Sequence, residues 1–164
     1  MRKIKPIFFL VMLIALLMAL GGAGNKELRS AKVCIGASPG NNGVAFDIKK
    51  DGVVKIISAP DLYATWSIDM YYEREINGEG WEEDCKLSGS ECKILNSAIK
   101  KVEERADRDN KVTWVDSPVI TIEIDGFFYE STYWQDSFEG DVYMQELAYM
   151  LLELCPREIK GLKV

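Results

Sequence analysis

The 164-residue chain contains no histidine. That absence excludes Ser-His-Asp and Cys-His nucleophile pairs, imidazole-ligated zinc and imidazole proton shuttles. A basic excess is missing too: twenty Lys and Arg face twenty-six Asp and Glu, for a net charge of −6. Nucleic-acid binding needs a basic patch against phosphate, so the acidic balance argues against it, and against a polybasic hold on anionic lipid. The four cysteines, Cys34, Cys85, Cys92 and Cys155, lack the close pairs that structural zinc usually takes. Gly36, Gly40 and Gly43 fit neither nucleotide fingerprint, and no Lys-Ser/Thr follows them. Asp107-Arg108-Asp109-Asn110 starts like a calcium loop, but Lys111 takes the next alternate position and the required Gly and distal Glu are absent. Ser97 and Lys100 form Ser-x-x-Lys without the K-T-G motif that accompanies that chemistry. No metal and no cofactor is expected.

What the chain does contain begins with a basic start, Met1 to Lys5, then fourteen apolar residues from Ile7 to Leu20, then Gly21-Gly22-Ala23-Gly24. This is the pattern of a secretory signal peptide over residues 1–24. A spanning helix needs about 20 apolar residues, so cleavage after Ala23 or Gly24 is expected, with an uncleaved membrane anchor as the alternative. Residues 25–164 then form one secreted or extracytoplasmic domain. Its net charge is −9, because three basic groups leave with the signal and seventeen remain against twenty-six acidic ones. A domain of this length can bury a true core. An even cysteine count in an oxidising compartment reads as disulfides. Cys85 and Cys92 are the natural pair across Ser88-Gly89-Ser90, which leaves Cys34 for Cys155. On the chain-entropy model these links stabilise by roughly 2.5 and about 5 kcal/mol.

Ala31 to Ala37 alternates weakly and predicts a first strand. Val44 to Ile48 and Val53 to Ile57 predict a hairpin. A three-residue loop of Lys50, Asp51 and Gly52 keeps lysine off the core face and pairs Ile48 with Val54. Ala64, Trp66, Ile68, Met70 and Tyr72 recur at period two, which predicts another strand, followed by a polar connection from Glu73 to Glu83 anchored by Trp81. Ser88-Gly89-Ser90-Glu91 is a capping box for an amphipathic helix over 89–106. Val112 to Val115 predicts a short strand, and a second helix is expected over 138–155, closed by Pro156. The fold class is α+β: an antiparallel sheet of five to seven strands built from hairpins, with two amphipathic helices packed on one face.

The stretch from Val119 to Trp134 carries the candidate site. Asp125-Gly126 favours a tight primed turn, so Ile120, Ile122, Ile124, Phe127 and Tyr129 share a core face. Thr121, Glu123, Phe128, Glu130 and Trp134 share the outer face. Glu123 and Glu130 are diagonal neighbours within roughly 7 to 8 Å, inside the range that separates glycosidase carboxyls. Carboxylates on outer faces are also the ordinary means of keeping strands solvated. The composition therefore points to a non-catalytic binding or interaction protein, inhibitor-like or a ligand-binding module. Its aromatics would contact a basic protein or a glycan. The alternative is a small carboxylate-dependent hydrolase acting on a glycan, with Glu123 and Glu130 as its pair.

Overall fold

The computed structural model describes residues 28–36, 43–60, 62, 65, 68–69, 80–106, 119–132, 141–157 and 159. The N-terminal segment, the 107–110 loop, the 112–115 strand and Trp134 lie outside the described residues. The class is α+β. Six strands, β1 (Ala31–Gly36), β2 (Gly43–Ile48), β3 (Val53–Ala59), β4 (Trp81–Lys86), β5 (Val119–Ile124) and β6 (Phe127–Thr132), form one antiparallel sheet in the order β4-β3-β2-β1-β5-β6. Among the described residues, the helices with defined bounds are α1 (Gly89–Arg105) and α2 (Val142–Leu152).

Turn chemistry sets the register at two places. Gly52 takes a positive φ of 82°, its N–H donates to the Lys49 carbonyl, and Ile48 pairs with Val54 and Phe46 with Ile56. Asp125 and Gly126 both have positive φ, 51° and 80°, as the tight primed turn requires, and Ile124 pairs with Phe127 and Ile122 with Tyr129.

The helices are fixed by their caps. The Glu91 N–H donates to Ser88 Oγ, and the Ser88 N–H donates to the Glu91 carboxylate at 2.7 Å. The Ser88 side-chain and backbone bonds hold the Glu91 carboxyl below the usual range. In α2, Asp141 accepts from the Tyr143 and Met144 N–H groups, and its own N–H donates to Ser131 Oγ at the end of β6. The second helix is therefore shorter than the 138–155 expected. Leu95, Ala98, Ile99 and Val102 from α1 and Met144, Leu147, Ala148, Leu151 and Leu152 from α2 join Val33, Ile35, Phe46, Ile56, Ile122 and Tyr129 in one core. Phe127, expected in that core, is 53% exposed, because the core ends before the β5–β6 turn.

The opposite face of the sheet is covered as well, which corrects two expectations. Thr65, Ile68 and Asp69 have helical backbone, so Ile68 is not in the expected strand, while Ala64, Trp66, Met70 and Tyr72 of that strand lie outside the described residues. Leu62 and Ile68 are buried in a second cluster with Cys34, Ala45, Ile57 and Ala59, and Thr65 is buried too. Their spacing of three residues puts all three on one side of a helical turn, whereas the period-two set of 64–72 would have directed Thr65 away from Ile68. The polar connection expected up to Glu83 instead becomes β4 from Trp81 onward. Its exposed Glu82, Glu83 and Asp84 hid it from a reading based on apolar alternation, and charge is how an edge strand resists further pairing.

No disulfide joins any of the four cysteines in this structure. The Cys34–Cys155 pairing is excluded by the layering: Cys34 lies in the second cluster, while Cys155 packs on the helix-side core, with the sheet between them. Burial pushes the Cys155 thiol up to about 11.

Gly43 is where the covering segment meets the sheet most closely, since a Cβ there would collide with the Leu62 backbone. Gly43→Ala is expected to destabilise by about 1 to 3 kcal/mol through overpacking. Gly89→Ala, which meets open space, serves as the control and should not lower the urea midpoint. Equal midpoints for the two variants would refute this packing role.

Candidate functional site

The candidate residues lie on the face opposite the helices, and strand register arranges them in rows. Asp84, Lys55, Asp47, Lys32, Glu123 and Phe128 are successive partners across the six strands, from β4 to β6. Charges alternate along this row until Phe128 ends it. The adjacent row runs Glu82, Ile57, Ala45, Cys34, Thr121 and Glu130. Cross-strand neighbours of opposite charge attract at this spacing, and like charges would repel.

Lys32 is the hub of the charged row. Its Nζ donates to both Asp69 carboxylate oxygens, at 2.7 and 2.9 Å. Burial opposes its charge, but the Asp69 hydrogen bond and the charges of Asp69, Glu123 and Asp47 prevail, so its pKa lies above the ordinary lysine value. Lys55 similarly sits between Glu82 at 3.6 Å and Asp84 at 3.8 Å.

The five outer-face residues separate into different roles. Thr121 is 3% exposed, and its Oγ1 accepts a 3.0 Å hydrogen bond from the buried Thr65 N–H. It therefore holds the covering segment to the sheet, and its expected place on an open contact surface is corrected. Phe128 is 57% exposed. Glu123 and Glu130 are half-buried, with Glu123 opposite Phe128 and Glu130 opposite Thr121, the diagonal relation read from the turn. Glu123 also has Lys32 as its direct partner on β1, so its charge is balanced within the sheet. The surface that remains is a strip in which one large aromatic is flanked by carboxylates. Such a strip can make apolar and ionic contacts together.

Among the described residues there is no group of three or more His, Cys, Asp or Glu side chains that could hold a metal ion. No helix among them is long and apolar enough to cross a membrane. The chain matches no protein-family model, and no curated protein matches it.

Sequence reasoning missed Lys32, Asp69 and the segment that bears Asp69. Two signals could have found them. Leu62, Thr65 and Ile68 recur at intervals of three, and the consecutive apolar Val33, Cys34 and Ile35 of β1 are too continuous for a strand with one wet face.

Thr121→Val removes the acceptor of a buried N–H at nearly constant volume. It is expected to cost about 1 to 3 kcal/mol in chemical unfolding, whereas Thr121→Ser, which keeps the oxygen, should recover most of the loss. A Val variant as stable as the native protein would show that this bond does not hold the segment.

Proposed function

We propose that the protein is an exported, non-catalytic binding protein that engages its partner through the outer face of β5 and β6. The observation that carries this reading is Phe128, 57% exposed beside Glu130 and Glu123. Aromatic side chains dominate binding energy when a rim of polar groups surrounds them. The carboxylates and the net charge of −6 favour a basic protein partner through electrostatic steering. The basic, apolar and small-residue segments of residues 1–24 support export.

The same carboxylates carry the hydrolase alternative less well, because Glu123 is opposite Lys32 and Thr121 serves the fold. In a pull-down from the organism's own extracellular fraction, Phe128→Ala is expected to weaken retention by about 1 to 2 kcal/mol, on the order of tenfold. Added salt should weaken it further. Retention indifferent to Phe128→Ala and to Glu130→Lys would sink the binding surface. Glycan cleavage abolished by Glu123→Gln would replace it with the enzyme.

In an oxidising compartment Cys85 and Cys92 close as a disulfide. Both thiols belong to the helix side: Cys85 lies opposite Val54 on β3, and Cys92 in the first turn of α1 packs against Gly52. Alkylation of unreduced, denatured mature protein should modify Cys34 and Cys155 but spare the other two. Modification of both Cys85 and Cys92 would count against the pair.

A further inference from the structure

The two edges of the sheet are built differently. β4 closes one edge with Glu82, Glu83 and Asp84, all exposed, and such charge is how an edge strand refuses a further neighbour. β6 closes the other with the sequence FFYEST, in which Glu130 is the only charge and proline is absent. Its pairing with β5 runs from Phe127 to Thr132 without a bulge. Apart from that one carboxylate, none of the usual devices that blunt an edge is built into β6.

The β5–β6 turn decides which backbone groups of β6 face outward. In an antiparallel pair, directly opposed residues alternate between exchanging both hydrogen bonds and exchanging none. The two-residue turn at Asp125-Gly126 makes Ile124 and Phe127 a bonded pair. Ile122 with Tyr129 and Ile120 with Ser131 are then bonded too, whereas Glu123 with Phe128 and Thr121 with Glu130 are not. The N–H and C=O groups of Phe128 and Glu130 therefore point away from β5, and among the described residues no strand or loop backbone bonds them. Their side chains stand together on the outer face, an exposed ring two positions from a half-buried carboxylate.

We infer that β6 takes an extended segment of a basic protein as an added strand, with its backbone bonded to Phe128 and Glu130 and one of its Lys or Arg side chains beside the Glu130 carboxylate. This rests on the partner face proposed above and specifies how the partner is held: main-chain bonds supply affinity, and side chains on the outer face supply selectivity. Side chains two apart on the added strand share a face, so the next one beyond the basic residue lies by Phe128, where an aliphatic or lysine stem covers the ring. A second copy of the chain fits this edge poorly. In antiparallel registers that bond both residues, Glu130 of one copy falls opposite or diagonal to Glu130 of the other, and β4 would bring Glu82, Glu83 and Asp84 to it instead. Like charges repel at these spacings.

The test mixes the full chain with a capped peptide of alternating lysine and valine, or with its glutamate-for-lysine counterpart, and follows amide hydrogen exchange residue by residue by NMR. Lysine peptide at about ten times its dissociation constant should slow exchange at Phe128 and Glu130 by about tenfold, while the glutamate peptide leaves both fast. Tyr129 and Ser131, already bonded to β5, should change little. Glu130→Pro removes an outward N–H without touching the β5 ladder, a change that edge strands tolerate. With an unchanged circular dichroism spectrum, it should fall on the order of tenfold below Glu130→Ala in the extracellular pull-down, because the latter loses the charge alone. Exchange indifferent to the lysine peptide overturns strand addition, and so does equal retention of Glu130→Pro and Glu130→Ala. The partner face survives that result if Phe128→Ala still weakens retention, so the two failures are distinguishable. Slowing of the same amides by rising protein concentration alone would give the edge to a second copy and overturn the basic partner.

Discussion

The structure depends on burying β1 from every direction. It is hydrogen-bonded to β2 on one edge and β5 on the other, and Val33, Cys34 and Ile35 are withdrawn from solvent. A strand in that position needs cover on both faces. The helices supply one cover and the segment bearing Leu62, Thr65 and Ile68 supplies the other. Each fully buried aliphatic side chain contributes about 1.5 to 3 kcal/mol relative to exposure, so neither cover is dispensable. The close seat of Leu62 on Gly43 and the bond from Thr65 to Thr121 follow from that need.

Where the second cover ends, the same face becomes ionic. The row from Asp84 to Glu123 alternates sign at each strand, which lets charged side chains share a sheet surface without mutual repulsion. Lys32 joins the two regimes, since its partner Asp69 belongs to the covering segment. Within the row Glu123 is answered by Lys32, while Phe128 is exposed and Glu130 half-buried on β6.

Much of the architecture is legible in particular residues. Asp125-Gly126 and Gly52 mark turns whose geometry follows from backbone sterics, and the pairs Ile122–Tyr129 and Ile48–Val54 can be counted outward from them. Ser88 and Glu91 announce the start of α1 through a local hydrogen-bond exchange. The candidate site was less legible. Glu123 and Glu130 could be placed on one face, but Thr121 could not be recognised as buried, because its burial comes from a segment 56 positions away. β4 escaped notice because Glu82, Glu83 and Asp84 give an edge strand no apolar period.

The sequence by itself determined what is local or compositional: the missing imidazole chemistry, the acidic balance, the turn registers, the helix caps and the alternating faces of β5 and β6. These follow from residue types and from backbone geometry over a few positions. Tertiary structure alone decided which faces are wet. It put Cys34 and Cys155 on opposite sides of the sheet, gave Thr65, Ile68 and Asp69 a helical backbone, exposed Phe127 and enclosed Thr121. Burial is a property of what lies across from a residue, and in this fold the opposing groups come from distant parts of the chain.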